Sequence, residues 1–426
     1  MKNAMFEKKE LKNAGWLVGG KVVQMLFALV VSTISTRYLG PKNYGLINYA
    51  SSLIAFFMSF CTLGINYVII KDFIDNPAEQ GEALGTSILL RVISSFCSAV
   101  MIVTISSIVD AGEKETVIVV VLSSIALVFN SFDMINYWFQ AQYKSKVTSL
   151  IALISYVVTS AYKIILLVLD KGVRWFAFAS SVDYICIGLF LFVIYKKYNG
   201  PKLKFSYNKA KHLLSKSYHY IISGMMVVIY GQTDKLMLKH MISNTEVGYY
   251  SVGTTVCNMW VFVLAAIIDS MYPTILNLYT KNKEEFDKKN RQLYVIVFYV
   301  SVFVSLGFTV FGDLIISILY GNAYAPAVTS LKIITWYTAF SYLGVARRAW
   351  IVSNDKQSYL KRIYAFAAIL NIVLNYFLIP YLGASGAALA SLITEIFTSL
   401  VLPYCIKELR ENAQLMLEAL CLRKIK

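Results

Sequence analysis

The sequence predicts an all-α integral membrane protein, with about 12 transmembrane helices in two six-helix bundles around a central cavity. Three observations predict it. Apolar stretches of roughly 20 to 25 residues follow one another along almost the whole chain, and about 20 apolar residues are what a helix needs to cross the hydrocarbon of a bilayer. The 426 residues are 58% hydrophobic and only 15% charged, with a mean hydropathy of +0.60, which leaves too little polar surface for a soluble enzyme of this size. The longest polar connection divides the apolar stretches six and six.

The stretches are continuous apolar runs instead of alternating ones, so the spans are helices and not barrel strands. Spans are expected at 13–38, 45–71, 84–109, 117–139, 147–169, 174–196, 217–240, 247–276, 292–311, 328–352, 362–381 and 386–406. The basic start (Lys2, Lys8, Lys9, Lys12) leads into a run too long for a signal-peptide core and without a small-residue cleavage site, so the first span is expected to stay in the mature protein. The division into halves gives a bundle over 1–200, a basic cytoplasmic linker over 201–216, a second bundle over 217–406 and a cytoplasmic tail over 407–426.

A net charge of +16 invites a nucleic-acid reading, but the charges sort by side of the membrane. Lys144 and Lys146, the 196–216 segment, Lys281 to Arg291, Lys356 to Arg362 and the tail with Arg423, Lys424 and Lys426 fall on alternate connections. The intervening connections hold few basic residues, and 312–327 holds no Lys or Arg. By the positive-inside rule both termini are cytoplasmic, and no nucleic-acid partner is expected.

The halves echo each other. Lys42-Asn43-Tyr44-Gly45 opening the second span pairs with Thr245-Glu246-Val247-Gly248 opening the eighth, and Gly172-Val173-Arg174 through Asp183 pairs with Ala384-Ser385-Gly386 through Glu395. Six spans return the chain to its starting side, so the repeats share one orientation about an axis along the membrane normal, and transporters of this build carry substrate between their halves.

Charges inside spans are costly and face a cavity or another charge. Asp183 and Glu395 lie mid-span at equivalent places of the two repeats, too deep for short side chains to reach either interface; they read as ion-coupling sites, as partners of basic residues, or as buried structural carboxyls. Asp234 and Lys235 form an adjacent pair able to neutralise each other, while Asp269 and Asp133 lie nearer the span ends. The basic set is Lys21, Arg37, Arg91, Lys163, Lys235, Lys239, Lys332, Arg347 and Arg348, with snorkelling the competing explanation for Arg91, Lys163, Arg347 and Arg348. An interior lined by such residues attracts anions, phosphate groups above all. Tyr137, Trp138, Tyr272, Trp336, Tyr337 and Trp350 could stack on sugar rings, although interfacial belts account for most such residues.

Other chemistries are missing. There is no Gly-x-x-x-x-Gly-Lys-Ser/Thr loop for ATP, the three histidines are scattered, and the six cysteines show no ligand spacing, so no cofactor and no metal site is expected. The Gly15-x-x-x-Gly19 spacing reads as close helix packing.

The chain resembles the polysaccharide-transporter branch of the multidrug, oligosaccharidyl-lipid and polysaccharide exporter superfamily, the Wzx-type oligosaccharide flippases. The resemblance rests on Gly15…Gly19…Arg37-Tyr38-Leu39-Gly40-Pro41-Lys42-Asn43-Tyr44-Gly45, then Leu63-Gly64-Ile65, Tyr272-Pro273, Tyr320-Gly321, Ala325-Pro326-Ala327, and Asn371…Asn375…Ile379-Pro380…Gly383 to Ala388 leading into Glu395. It implies two bundles around a cationic cavity, alternating access, and a substrate of undecaprenyl-diphosphate carrying one oligosaccharide repeat unit, moved to the outer leaflet of the bacterial cytoplasmic membrane for O-antigen, capsule or exopolysaccharide assembly. It places weight on Lys21 for the pyrophosphate and implies the polysaccharide polymerase and chain-length regulator as partners. A multidrug/cation antiporter would want an acidic cavity, and a glycan polymerase would want a large basic outer loop; these are the competing readings. A structural scaffold would leave Asp183 and Glu395 unexplained.

Overall fold

The computed structural model describes residues 2–423, and the side chains of 29–221, 224–226 and 228–423. Among the described residues the chain is helical with no strand, and nine helices are long and apolar enough to cross a membrane. The first long helix, α1, is described over Leu29–Cys61 and is broken at Gly40, where φ is 70°; Pro41 follows, with no N–H to continue the ladder. Then come α2 (Gln80–Val109), α3 (Lys114–Asn130), α4 (Ser145–Val168), α5 (Val173–Lys197) and α6 (Tyr207–Met241). The second half continues with α7 (Asn244–Asn258), α8 (Phe262–Tyr279), α9 (Lys283–Tyr320), α10 (Ala327–Ala346), α11 (Gln357–Leu382), α12 (Ala384–Ile396) and α13 (Arg410–Leu420). Side-chain caps begin two of them: Ser243 Oγ accepts from Glu246 N at 3.4 Å before α7, and Asn282 Oδ1 accepts from Glu285 N at 3.1 Å before α9.

The chain forms two compact units. One is Leu46–Val228 with the residues up to Leu39; the other is Ile229–Lys426 with Gly40–Gly45. In the first unit α3 packs against α2 and α5, and α5 against α4. Its core gathers Ile65, Ile69, Phe73, Met134, Phe139 and Leu213, all fully buried. In the second unit α10 packs against α7, α9 and α12, and α11 covers α12. The core there includes Leu293, Tyr294, Leu343, Trp350, Ile363 and Met416.

Several expected spans are interrupted. The second ends at Cys61 instead of continuing to 71: Leu63 and Gly64 have positive φ (50° and 64°), and a turn over 62–68 leads into the short helix Ile69–Asp75. The eighth is two helices, α7 and α8, separated at 259–261. The tenth divides at Arg347, and the twelfth passes into a π-helical turn over Phe397–Val401. Hydropathy averages over a window and does not register a single irregular turn. The tail expected over 407–426 contains α13, whose Ala413, Leu415, Met416 and Ala419 are buried against the second unit's core, with Asn412 Nδ2 donating to Tyr294 Oη at 2.7 Å.

The polar segment expected as a linker over 201–216 is part of the first unit. Lys204 N donates to Gly81 O at 3.2 Å and Ser206 N to Thr86 Oγ1 at 3.0 Å, and a Cβ on Gly81 or Gly85 would fall within 2.5 Å of the segment's backbone. From Tyr207 onward it is the first turns of α6. There Lys209, 8% exposed, holds Asp72 at 3.2 Å and Glu79 at 2.6 Å.

The paired glycines of the two repeats meet inside the second unit. A Cβ on Gly45 would lie 1.7 Å from Asn244 O, and one on Gly248 would lie 2.1 Å from Pro41 O, so the two helix starts cross backbone to backbone.

Candidate functional site

In the first unit a cavity of about 860 Å³ opens beside the irregular turn that ends α1. Thr62, Asn66 and Tyr67 of that turn line it with Ser51, Ser59, Met58 and Ile54 of α1, Ser180 and Tyr184 of α5, and Tyr220 of α6. Irregular backbone in a membrane-spanning chain is tolerated where it lines a cavity, which fits this turn. Gly64 makes it possible: a Cβ there would meet Ser217 O of α6 at 2.5 Å, so only glycine lets α6 come this close. The result is a stacked pair, Tyr67 on Tyr220, with ring centroids 4.8 Å apart and planes 19° from parallel.

Arg91 is 2% exposed on α2 and donates to Asn130 Oδ1. Its charge is opposed by Asp133, which accepts from Asn136 at 3.2 Å. The guanidinium is therefore buried within a polar group that includes Tyr137 and Tyr184, rather than snorkelling. On α4, Ser155, Thr159 and Lys163 recur every four residues and face α5. Ser155 and Thr159 donate to Asp183 Oδ1 at 2.8 and 3.3 Å, and Lys163 interacts with the same carboxylate electrostatically. Asp183 thus joins α4 to α5 through two hydroxyls, with Lys163 near enough to interact with its charge. Arg37 is exposed at the end of the first segment of α1. Next to it Tyr38 Oη donates to Asp170 at 2.5 Å and to Lys171 O at 3.1 Å, tying that segment to the start of α5.

The second unit carries the denser network. Asp234 of α6, 4% exposed, accepts from Asn375 Nδ2 at 2.6 Å, from Ser391 Oγ at 2.7 Å and from Tyr250 Oη. Asn375 also donates to Asn371 Oδ1 at 3.0 Å, and its own Oδ1 has no partner among the described residues. Three neutral donors satisfy the carboxylate, and the adjacent Lys235 interacts with it electrostatically. Lys235 points into a cavity of about 200 Å³ that Asp234, Tyr230 and Tyr337 also line. Tyr230 and Tyr337 reappear in the wall of a second cavity of about 150 Å³ with Glu395 and Arg347. Glu395 accepts from Tyr230 at 2.9 Å and from Ser399 at 3.3 Å; Arg347, 4% exposed, donates to Thr398 O at 3.1 Å and leaves Nε without a partner among the described residues. Five helices, α6, α7, α10, α11 and α12, therefore contribute to a polar seam that holds Asp234, Glu395 and, just after α10, Arg347.

Arg348, adjacent in sequence, is exposed, its guanidinium 5.0 Å from the Tyr272 ring centre. Asp269 is also exposed, on α8. Lys21 lies outside the residues whose side chains are described. Among the described residues no three His, Cys, Asp or Glu side chains converge as a metal site. Sequence reasoning missed Tyr230, Tyr250, Asn371, Asn375 and Ser391 as site residues. The i, i+4 spacing of Asn371 and Asn375 within an apolar helix was the available signal.

Comparison with known proteins bears on this arrangement. The family model described as "Polysaccharide biosynthesis protein" matches residues 11–278, and the MatE model matches residues 220–377. The capsular polysaccharide biosynthesis protein CapF of Staphylococcus aureus is 21% identical over 410 residues, 92% of this chain and 98% of its own length. A putative O-antigen transporter of Escherichia coli K12 is 22% identical, with 89% of this chain and 92% of the relative covered. Among solved structures, the inward closed conformation of the lipid II flippase MurJ superposes with a TM-score of 0.70 at 14% identity, covering 95% of this chain and 91% of MurJ. An inward-facing multidrug resistance MATE transporter of the MOP superfamily gives 0.68 at 13% identity, covering 92% and 94%. The fold is that of these transporters, and the chain, matched over more than half its length, belongs to the polysaccharide biosynthesis protein family.

Proposed function

We propose that the protein is a flippase that moves undecaprenyl-diphosphate-linked oligosaccharide repeat units from the cytoplasmic to the outer leaflet of the bacterial cytoplasmic membrane by alternating access. The observation that carries this reading is the family membership of a membrane-spanning chain whose full-length relatives include proteins named O-antigen transporters. On this reading the protein is a transporter and not an enzyme, both termini are cytoplasmic, and the two repeats over 1–200 and 217–406 act as the moving halves. The polysaccharide polymerase and the chain-length regulator would act on the product.

Within it, Lys21, Arg37, Arg91, Lys163, Lys235, Arg347 and Arg348 are the candidate contacts for pyrophosphate and sugar, with Arg91 and Arg347 supported by burial, since a guanidinium held out of water attracts anions most strongly. Asp183, Asp234, Asp269 and Glu395 are the candidate ion-coupling or charge-pairing carboxylates. Asp234 has the strongest support: it is buried, fully hydrogen-bonded, and set beside a small polar cavity.

Deletion of the gene, followed by assay of surface polysaccharide and of the leaflet holding the lipid-linked unit, tests the reading. Loss of polymer with single units trapped on the cytoplasmic side is expected. The match of the MatE model to 220–377 favours a second reading, a multidrug/cation antiporter. Unchanged surface glycan with altered drug tolerance would select it.

A further inference from the structure

We propose that the cavity of the first unit is a glycan subsite that takes neutral sugar residues and stacks one pyranose or furanose face on the Tyr67/Tyr220 platform, leaving the pyrophosphate to charged residues elsewhere. The proposal rests on the flippase reading and adds what this one cavity binds.

Its lining chemistry is selective. Ser59, Thr62, Tyr67, Tyr184 and Tyr220 present hydroxyls and Asn66 an amide, while no Lys, Arg, Asp or Glu lines it among the described residues. A phosphate group would find none of the cations that recognise it best, while Ile54, Ala55, Met58, Ala126 and Val228 give the C–H faces of a sugar apolar wall to lie against. A sugar presents hydroxyls at its rim and C–H groups on its faces, which is the complement of hydroxyls around an aromatic ring. Asn66 lines the cavity, and its Oδ1 is buried without a hydrogen-bond partner among the described residues. The volume of about 860 Å³ lies within the usual range for small-molecule sites, about 300 to 1,000 Å³.

The platform is built into the backbone. Tyr67 is 62% exposed and Tyr220 42%, yet the rings stack on each other at the cavity wall, so Tyr67 keeps one face uncovered. An isolated belt tyrosine would have no such partner. The turn at Leu63 and Gly64 and the close approach of α6 to Gly64 fix where Tyr67 stands relative to Tyr220; a Cβ on Gly64 would also lie 2.9 Å from Tyr220 Cβ.

The test is binding of two lipids to the full-length protein in nanodiscs: undecaprenyl diphosphate carrying the repeat unit of the producing cell, and bare undecaprenyl diphosphate. Wild type should hold the glycosylated lipid more tightly. Tyr67→Leu should weaken that binding about tenfold, without affecting the bare lipid, whereas Tyr67→Phe should keep the preference. Tyr220→Leu should behave like Tyr67→Leu, which guards against a fault in one variant's folding. The proposal is overturned if the leucine variants weaken both lipids alike or neither. Equal binding of both lipids by wild type would also overturn it, and would leave the flippase reading standing if the deletion strain still traps single units inside. Intact surface glycan in the deletion strain would remove both.

Discussion

Lys209→Met isolates the contact that fastens the start of α6 to the first unit. Lys209 and Asp72 are 8% and 7% exposed at their side chains and 3.2 Å apart, and Glu79, at 2.6 Å, is 55% exposed. Removing the lysine leaves Asp72 buried with Asn76 Nδ2 at 3.2 Å and His212 Nε2 at 3.9 Å. Breaking one side of a buried pair costs about 3 to 5 kcal/mol, and the exposed Glu79 contact adds less than about 1 kcal/mol. Asp72→Asn should cost less, about 1 to 3 kcal/mol, because Lys209 keeps Glu79 and Asn can still hydrogen-bond. The double variant should fall short of the sum by about 1 to 3 kcal/mol, since the methionine has no charge to leave unpaired. The assay is reversible unfolding of the purified protein in mixed micelles across the four-member cycle. A Lys209→Met cost below about 0.5 kcal/mol, or strict additivity, would refute the reasoning, because it would mean that water already solvates the pair.

Asp234→Ala should destabilise by about 3 kcal/mol or more, because Tyr250, Ser391 and Asn375 all lose their acceptor, while Asp234→Asn should keep most of the stability and lose export; melting and surface-glycan assays read the two separately. Gly248→Ala should lower the folded yield, since its Cβ falls 2.1 Å from Pro41 O, whereas Gly307→Ala, with nothing within 4 Å, should raise stability by up to about 1 kcal/mol. Met416→Ala should cost about 2 to 5 kcal/mol in the unfolding assay if α13 is part of the second core, and almost nothing if the tail is peripheral. With the native cysteines, of which Cys97, Cys405 and Cys421 are exposed, replaced by serine, a cysteine in place of Lys204 should react with an impermeant thiol reagent only from the cytoplasmic side, and labelling from outside would invert the topology.

The helical membrane class was legible because span length and hydropathy are local properties of the chain. Asp183, Asp234 and Glu395 stood out for the same reason: a carboxylate in an apolar run is visible without a structure. Their partners were not. Tyr230, Tyr250, Ser391 and Asn375 are ordinary residues in such helices, and only packing decides which face an inner carboxylate. Asp234 and Lys235 looked like a pair in sequence and do interact electrostatically, but the hydrogen-bond donors of the carboxylate come from α7, α11 and α12, far away in sequence. Arg347 and Arg348 illustrate the same geometry, one buried and the other exposed. The pairing of Lys209 with Asp72 spans 137 positions, which no local pattern encodes.

The exchange of segments between the units constrains how the chain is made. Leu213 belongs to the core of the first unit although it follows the first six expected spans, and Gly40–Gly45 belongs to the second unit although it is synthesised first. A ribosome that has released only the first six spans has therefore not delivered a complete first unit, and the second must recover a piece inserted long before. Cutting the gene at residue 200 would separate the first unit from the 201–228 part of its own interior, and cutting after α6 would separate the second from Tyr230 and Asp234, so two co-expressed halves should assemble poorly with either break.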